Sequence, residues 1–218
     1  GIYTVLDVVG AASSLEKSAF CMQRSGNMVA AGNDAIIFSL EMSADELTAK
    51  SISRLTAEIA ISKGISTANA KTTRGILAYE RCRGYTKEES ALIMEALEEY
   101  ERRTRGRLWI SEGVGNIGAE QIRERVQQHI SLTGRKPIIL IDYLQILSPA
   151  DVKASDKQNT DKSVLELKRI SRDFDVPVIA ISSLNRDNYL SPINMAAYKE
   201  SGAIEYSSDV LIGLQYNG

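Results

Sequence analysis

At 218 residues and 23.9 kDa, with 44% hydrophobic and 25% charged residues, the chain is long enough for one large domain around a substantial core. The formal net charge of -2 excludes a surface that is polycationic throughout, while leaving room for a local basic lining. Cys21 and Cys82 form no CxxC pair and read as reduced, structural thiols, and His129, the only histidine, has no metal-ligand company. The longest aliphatic run near the middle, Ile138 to Ile141, is far too short to cross a membrane, and the start lacks the pattern of a signal peptide. A cytoplasmic protein with no membrane partner is expected.

Short β-branched runs alternate with longer amphipathic stretches. Ile2 to Val9 reads as a strand and Lys17 to Ala31 as a helix ending at Gly32. Ala35 to Ser39 reads as a strand, followed by a helix over Ser43 to Ile59 with Asp45 and Glu46 in its first turn. Thr67 to Arg83 is expected to be helical. Thr86 to Arg103 forms another helix, with Thr86 and Glu89 placed as a capping box. Leu108 to Ser111 is a strand, Ala119 to Leu132 a helix, Pro137 to Asp142 the central strand and Ser163 to Phe174 a helix. Val176 to Ser182 and Asp209 to Gln215 complete the strands. Strand–helix alternation throughout implies an α/β fold with a mostly parallel sheet and helices on both faces. Ser148 to Asp161 and Asn185 to Gly202 read as long loops, which in such a fold are commonly functional.

Four segments carry chemistry. Ala12, Ser13, Ser14, Leu15, Glu16, Lys17 and Ser18 lie between a strand and a helix, where a GxxxxGK[ST] loop would cradle phosphates on backbone N–H groups. Lys17 and Ser18 match; Glu16 stands where glycine is expected. Taken alone, the stretch reads equally as an ordinary helix start. Ile36 to Met42 is an apolar strand delivering Glu41 to the crevice at a strand's carboxyl end, where a carboxylate can activate water. The other reading of Glu41 is an acid capping the helix that begins at Ser43. Pro137 to Asp142 has the form of a Walker B strand whose final carboxylate holds Mg²⁺. Val176 to Arg186 brings Ser182 and Ser183 to a strand end, placed either to report a phosphate or simply to cap the strand.

Together these segments resemble the C-terminal motor domain of the DnaB replicative helicase family. The resemblance is carried by Ser39-Leu40-Glu41-Met42, Ile141-Asp142-Tyr143-Leu144-Gln145, Ser182-Ser183-Leu184-Asn185-Arg186, and Glu200-Ser201-Gly202-Ala203-Ile204-Glu205 with Ser208-Asp209. It implies a RecA-like P-loop ATPase domain over residues 1–218, without the family's N-terminal collar and ending before its C-terminal basic finger. It further implies a homohexameric ring that moves 5′ to 3′ on single-stranded DNA with ATP and Mg²⁺, partnered by primase and a helicase loader. In that scheme Ala12 to Ser18 and Ser183 bind nucleotide, and Ser18 and Asp142 hold Mg²⁺. Glu41 activates water, and Lys153, Lys157, Arg186 and Lys199 contact DNA. Two departures within the motifs stand out: Glu16, and Ser183 where many members carry glutamine. Glu16 opens an alternative, a non-hydrolysing ring subunit or DNA-binding scaffold.

Overall fold

In a computed structural model of the chain, residues 4–11, 17–78, 84–113, 117–184, 193, 197–198 and 202–215 are described. Among them, six strands form one sheet: β1 (Leu6–Ala11), β2 (Asp34–Ser39), β3 (Leu108–Glu112), β4 (Pro137–Asp142), β5 (Val178–Ser183) and β6 (Val210–Leu214). They lie in the order β3-β2-β4-β5-β1-β6, and every pairing is parallel. Each parallel step needs a long crossover, and each is supplied by a helix-containing connection. These are α1 (Lys17–Ala30), α2 (Ala44–Ser62), α3 (Thr73–Leu77), α4 (Lys87–Thr104), α5 (Ala119–Thr133), α6 (Asp156–Phe174) and α7 (Gly202–Ser207).

The central strands β1, β2 and β4 are buried on both faces, which explains their near-continuous aliphatic sequences. Val9, Ile37, Leu140 and Ile181 pack on one face with Cys21, Met22 and Val29 of α1 and Leu47 of α2. On the other face, Val8, Phe38, Ile139 and Ala180 meet Ile122 and Val126 of α5 and Val164, Leu167 and Ile170 of α6. β3 and β6 at the two edges are only partly covered.

Helix starts follow local capping chemistry. Thr86 Oγ1 accepts the Glu89 N–H at 3.2 Å while Glu89 returns a carboxylate oxygen to the Thr86 N–H at 2.9 Å, completing the expected box. Ser43 and Glu46 do the same for α2. Three elements depart from the sequence expectation. β1 begins at Leu6 rather than Ile2 and runs on through Gly10 and Ala11, because β5 and β6 pair with it on both sides up to Ala11. Gly10 is required there, since an added Cβ would lie 2.5 Å from the Tyr198 ring.

The region from Thr67 is not one helix. A 3-10 turn (Thr67–Asn69) and α3 are each capped separately, by Ser66 and Thr72. Lys71 between them is tied to α2: its N–H donates to Thr56 Oγ1 and its carbonyl accepts from Ser53 Oγ. Residues 79–83, including Cys82, lie outside the described residues.

α6 starts seven residues earlier than the apolar pattern suggests, at Asp156 after the Ser155 cap. Its first turns bury polar groups. Asn159 accepts the Asp151 N–H at 3.0 Å and donates to the Asp151 carbonyl at 2.9 Å, so this face packs on loop backbone and shows no hydrophobic period.

At the opposite end of the sheet from these loops, Asp34 opens β2 with a fully buried carboxylate. Arg135 Nε donates to it at 2.7 Å and Arg107 Nη1 at 3.2 Å, and His129 Nε2 lies 3.0 Å away. The His129 ring meets Trp109 edge-on at 4.4 Å. The lone histidine therefore joins an ion-pair cluster, and no group of metal-ligating residues occurs among the described residues. No helix among the described residues is long and apolar enough to cross a membrane. Removing the central acceptor strands three donors around it, so Asp34→Ala should lower unfolding free energy by about 2–4 kcal/mol. Urea titration reads this directly; a loss below about 1 kcal/mol would show that the partners simply turn to solvent.

Candidate functional site

Register places the carboxyl ends of the strands level with one another. Ala11 is opposite both Ser183 and Leu214, and Ser39 is opposite both Glu112 and Asp142. The open edge above a parallel sheet is where ligands bind in such folds, because loops there are free of the sheet's packing. Glu41 and Asp142 reach it from adjacent strands. The Leu40 N–H donates to the Asp142 carbonyl at 2.7 Å, so Glu41 emerges one peptide beyond the last rung of the β2–β4 ladder. Ser39 Oγ donates to the Met42 carbonyl at 2.5 Å and closes the turn that swings the exposed Glu41 outward.

Glu41 does not cap α2. The Ser43 N–H is taken by Glu46 Oε2 at 2.9 Å, and the Ala44 N–H by Glu112 Oε2 at 2.6 Å. Glu112, at the end of β3, thus fills a role that the sequence left open for Glu41.

Asp142 is 3% exposed. Burial pushes its carboxyl above the ordinary range; a hydrogen bond from Ser18 opposes this, the Glu41 charge adds to it, and Lys50 and Lys17 act against it. Glu41 also helps raise the neighbouring Tyr143 hydroxyl, after burial as the leading cause. Lys17 Nζ donates to the Ala11 carbonyl at 3.2 Å, which holds the ammonium at the head of β1. Lys17, Ser18, Glu41 and Asp142 are therefore brought together. Ala12, Ser13, Ser14, Leu15 and Glu16 lie outside the described residues.

Cys21, one turn along α1 from Lys17, is buried and its thiol is pushed up to about 12, first by burial and then by Asp142; it packs as an inert apolar group. Lys50 was not singled out from the sequence. Its signal was its place three residues after buried Leu47, on a helix face that otherwise turns inward.

The donor set fits a hard divalent cation. A hydroxyl and a carboxylate converge, two lysines stand nearby for anionic oxygens, and the described residues contain no thiolate or imidazole cluster for a softer metal. Mg²⁺ bound in this way takes its remaining ligands from water and phosphate.

Ser183 is half-buried at the end of β5, and its N–H is held at 3.2 Å by Gln145 Oε1. Lys153 and Lys157 are exposed, the first in the loop before α6 and the second in the first turn of that helix. Arg186 and Lys199 lie outside the described residues.

Comparison with known proteins points one way. Residues 3–217 match the family described as DnaB-like helicase C terminal domain. The chain is 28% identical over 215 residues to a probable replicative DNA helicase of Trieres chinensis, covering 96% of this chain and 42% of that protein. It is 26% identical over 217 residues to the replicative DNA helicase DnaB of Helicobacter pylori (strain ATCC 700392 / 26695), covering 98% and 40% respectively. The chain thus spans about two-fifths of the length of these curated relatives. Among solved structures, one of an isolated ATPase domain superposes with a TM-score of 0.82 at 25% identity, covering 99% of this chain and 71% of that one. A DnaB-like replicative helicase whose interactions with primase were studied gives 0.80 at 25% identity, covering 99% and 49%.

The raised Asp142 carboxyl has a consequence for stability. A folded-state value above the unfolded one means that the ionised group costs stability. The cost is absent below about pH 4 and sets in as pH rises through the raised value. Asp142→Asn keeps an oxygen for the Ser18 hydroxyl and removes the buried charge. In EDTA at pH 7 it should raise Tm by a few degrees, about 2–4 °C for each kcal/mol at this chain length, and the gain should vanish near pH 4. Calorimetry showing an equal or lower Tm at pH 7 would contradict the assigned cause.

Proposed function

The chain belongs to the DnaB-like helicase C-terminal domain family, and on that premise we propose that it is an ATP-hydrolysing helicase motor that moves along single-stranded DNA during replication. The observation that carries this reading is the convergence of Lys17, Ser18, Glu41 and Asp142 on one crevice at the ends of β1, β2 and β4. Bound Mg-ATP supplies the phosphoanhydride whose terminal group is transferred to water. Lys17 pairs with the outer phosphate oxygens. Ser18 and Asp142 hold Mg²⁺, and burial of Asp142 makes its charge worth more to a cation than it would be in water. Glu41, exposed and free of helix capping, takes the proton of the attacking water.

Lys153 and Lys157, with Arg186 and Lys199 in the second loop, supply contacts to the phosphates of the strand. A few contacts per subunit, repeated around a hexameric ring, suffice for a chain with net charge -2. Primase and a helicase loader are the partners this reading implies, with the cytoplasm as the compartment.

One sequence feature favours a second reading. Glu16 puts a carboxylate where glycine would allow close backbone approach to phosphate. At about 5 Å from a phosphate charge, with an effective dielectric near 20, the repulsion is roughly 3 kcal/mol. A chain so impaired would serve as a non-hydrolysing ring subunit or DNA-binding scaffold.

Two experiments decide between them. Titration with Mg-ATP should show Glu16→Gly binding at least about tenfold more tightly than wild type, with Glu16→Gln recovering the electrostatic share. Equal affinity in wild type and Glu16→Gly would remove the support for the scaffold. In whichever of these backgrounds hydrolyses ATP, Glu41→Gln should cut turnover by roughly 10²-fold or more with nucleotide affinity little changed. Undiminished turnover would show that Glu41 is not the base.

A further inference from the structure

β4 and β5 separate before β5 ends. Their pairing runs Ile139↔Val178, Leu140↔Ile179 and Ile141↔Ala180, and stops there. β5 continues to Ser183 and stays paired on its other side with β1, through Ala11↔Ser183. Past Ala180, a backbone N–H facing β4 would have no strand opposite it, and such a group is costly to leave unmet in a buried sheet.

Gln145 takes the place of the missing strand. Its Oε1 accepts the Ser183 N–H at 3.2 Å, and its Nε2 donates to Ser182 Oγ at 2.8 Å. Ser182 is fully buried, and its hydroxyl donates onward to the Ser183 carbonyl at 3.3 Å. Gln145 lies in a 3-10 turn (Leu144–Ile146) that begins two residues after Asp142. Leu144 and Leu147, on either side, are buried in the core, so the turn is held firmly. One side-chain amide therefore ties the segment that starts at Asp142 to the end of β5, from which the chain passes into residues 185 onward. Ser183 itself carries only a short hydroxyl, so the long amide at this strand end comes from position 145.

We propose that Gln145 is a positioning residue of the motor, resting on the reading of the Asp142 site as its nucleotide site. It transmits the position of the Asp142 end of β4 to the end of β5 and so to the second DNA-facing loop. Two bonds at one rigid amide fix both distance and orientation between the segments. A shift at Asp142 therefore moves Ser182 and Ser183 instead of being absorbed between the strands.

The test uses amide hydrogen exchange, resolved by NMR, on the full 218-residue chain and on Gln145→Ala and Gln145→Glu. Without nucleotide, exchange at the Ser183 amide should rise about tenfold in Gln145→Ala, the size expected for loss of these bonds. Gln145→Glu retains the acceptor and should stay within about threefold of wild type. Unchanged exchange at Ser183 in Gln145→Ala, or no rescue by Gln145→Glu, overturns the proposal. So does a loss of protection spread evenly over the sheet, which a merely structural role would produce.

Mg-ATPγS is then added, with oligo-dT affinity read by fluorescence anisotropy. In wild type, nucleotide should slow exchange at Ser183 and Leu184 and shift oligo-dT affinity; in Gln145→Ala both responses should fall by about tenfold. Nucleotide binding with full responses in Gln145→Ala overturns the relay alone. Absence of nucleotide binding by wild type and by Glu16→Gly overturns the motor reading itself, and the relay with it.

Discussion

The hydrogen bond from the Leu40 N–H to the Asp142 carbonyl, 2.7 Å long, is the last rung between β2 and β4, and the arrangement of the site depends on it. It sets Glu41 and Asp142 side by side on adjacent strands. Their spacing is then a property of a six-residue register, Asp34↔Pro137 to Ser39↔Asp142, and not of two independent loops. Any slip along that ladder would turn both carboxylates toward the wrong face. The buried aliphatic rungs below, Ile36, Ile37, Leu140 and Ile141, make such a slip expensive, because each would leave a core face at once.

On this rigid base the chain gathers charges that do not suit a buried site. Asp142 is buried and its carboxyl is raised, and Glu41 stands close enough to add to the strain. Lys17, Lys50 and the Ser18 hydroxyl offset only part of it. Such an arrangement costs stability in the empty protein and is the kind of imbalance that a divalent cation and phosphate oxygens resolve. The surroundings keep competing chemistry away: Cys21 below the site is too well buried to ionise at neutral pH.

The same sheet also orders the segments that lead away from the site. Gly10, just before the end of β1, lets the Tyr198 ring lie against the strand, and Tyr198 forms an isolated antiparallel bridge with Leu184 just past β5. Burial pushes the Tyr198 hydroxyl up to about 12, so this contact keeps its form across the physiological pH range. Asn159 does comparable work for the first loop, where it replaces a strand partner for Asp151 and leaves Val152 86% exposed at the turn. In both places, polar side chains or a missing side chain take over where regular pairing ends.

The sequence alone determined the elements whose cause is local. Pro137–Asp142 matches its strand residue for residue, and Thr86 with Glu89 starts α4 as read, since four aliphatics in a row or a capping pair act within a few residues of themselves. The parallel sheet and the identities of Lys17, Ser18, Glu41 and Asp142 as a candidate set were legible for the same reason. What tertiary structure decided is everything that needed a distant partner. Glu112, 68 residues from Ala44, caps α2 and frees Glu41 from that task. Strands on both sides carry β1 through Gly10 and Ala11, loop backbone accepts the polar first turns of α6, and Lys50 approaches Asp142 across the gap between α2 and β4. Gln145 belongs to the same class, because its role follows from where β4 leaves β5. Local propensity acts over one or two turns, whereas a strand's end and a side chain's partner are set by whichever distant backbone group would otherwise be left without a hydrogen bond.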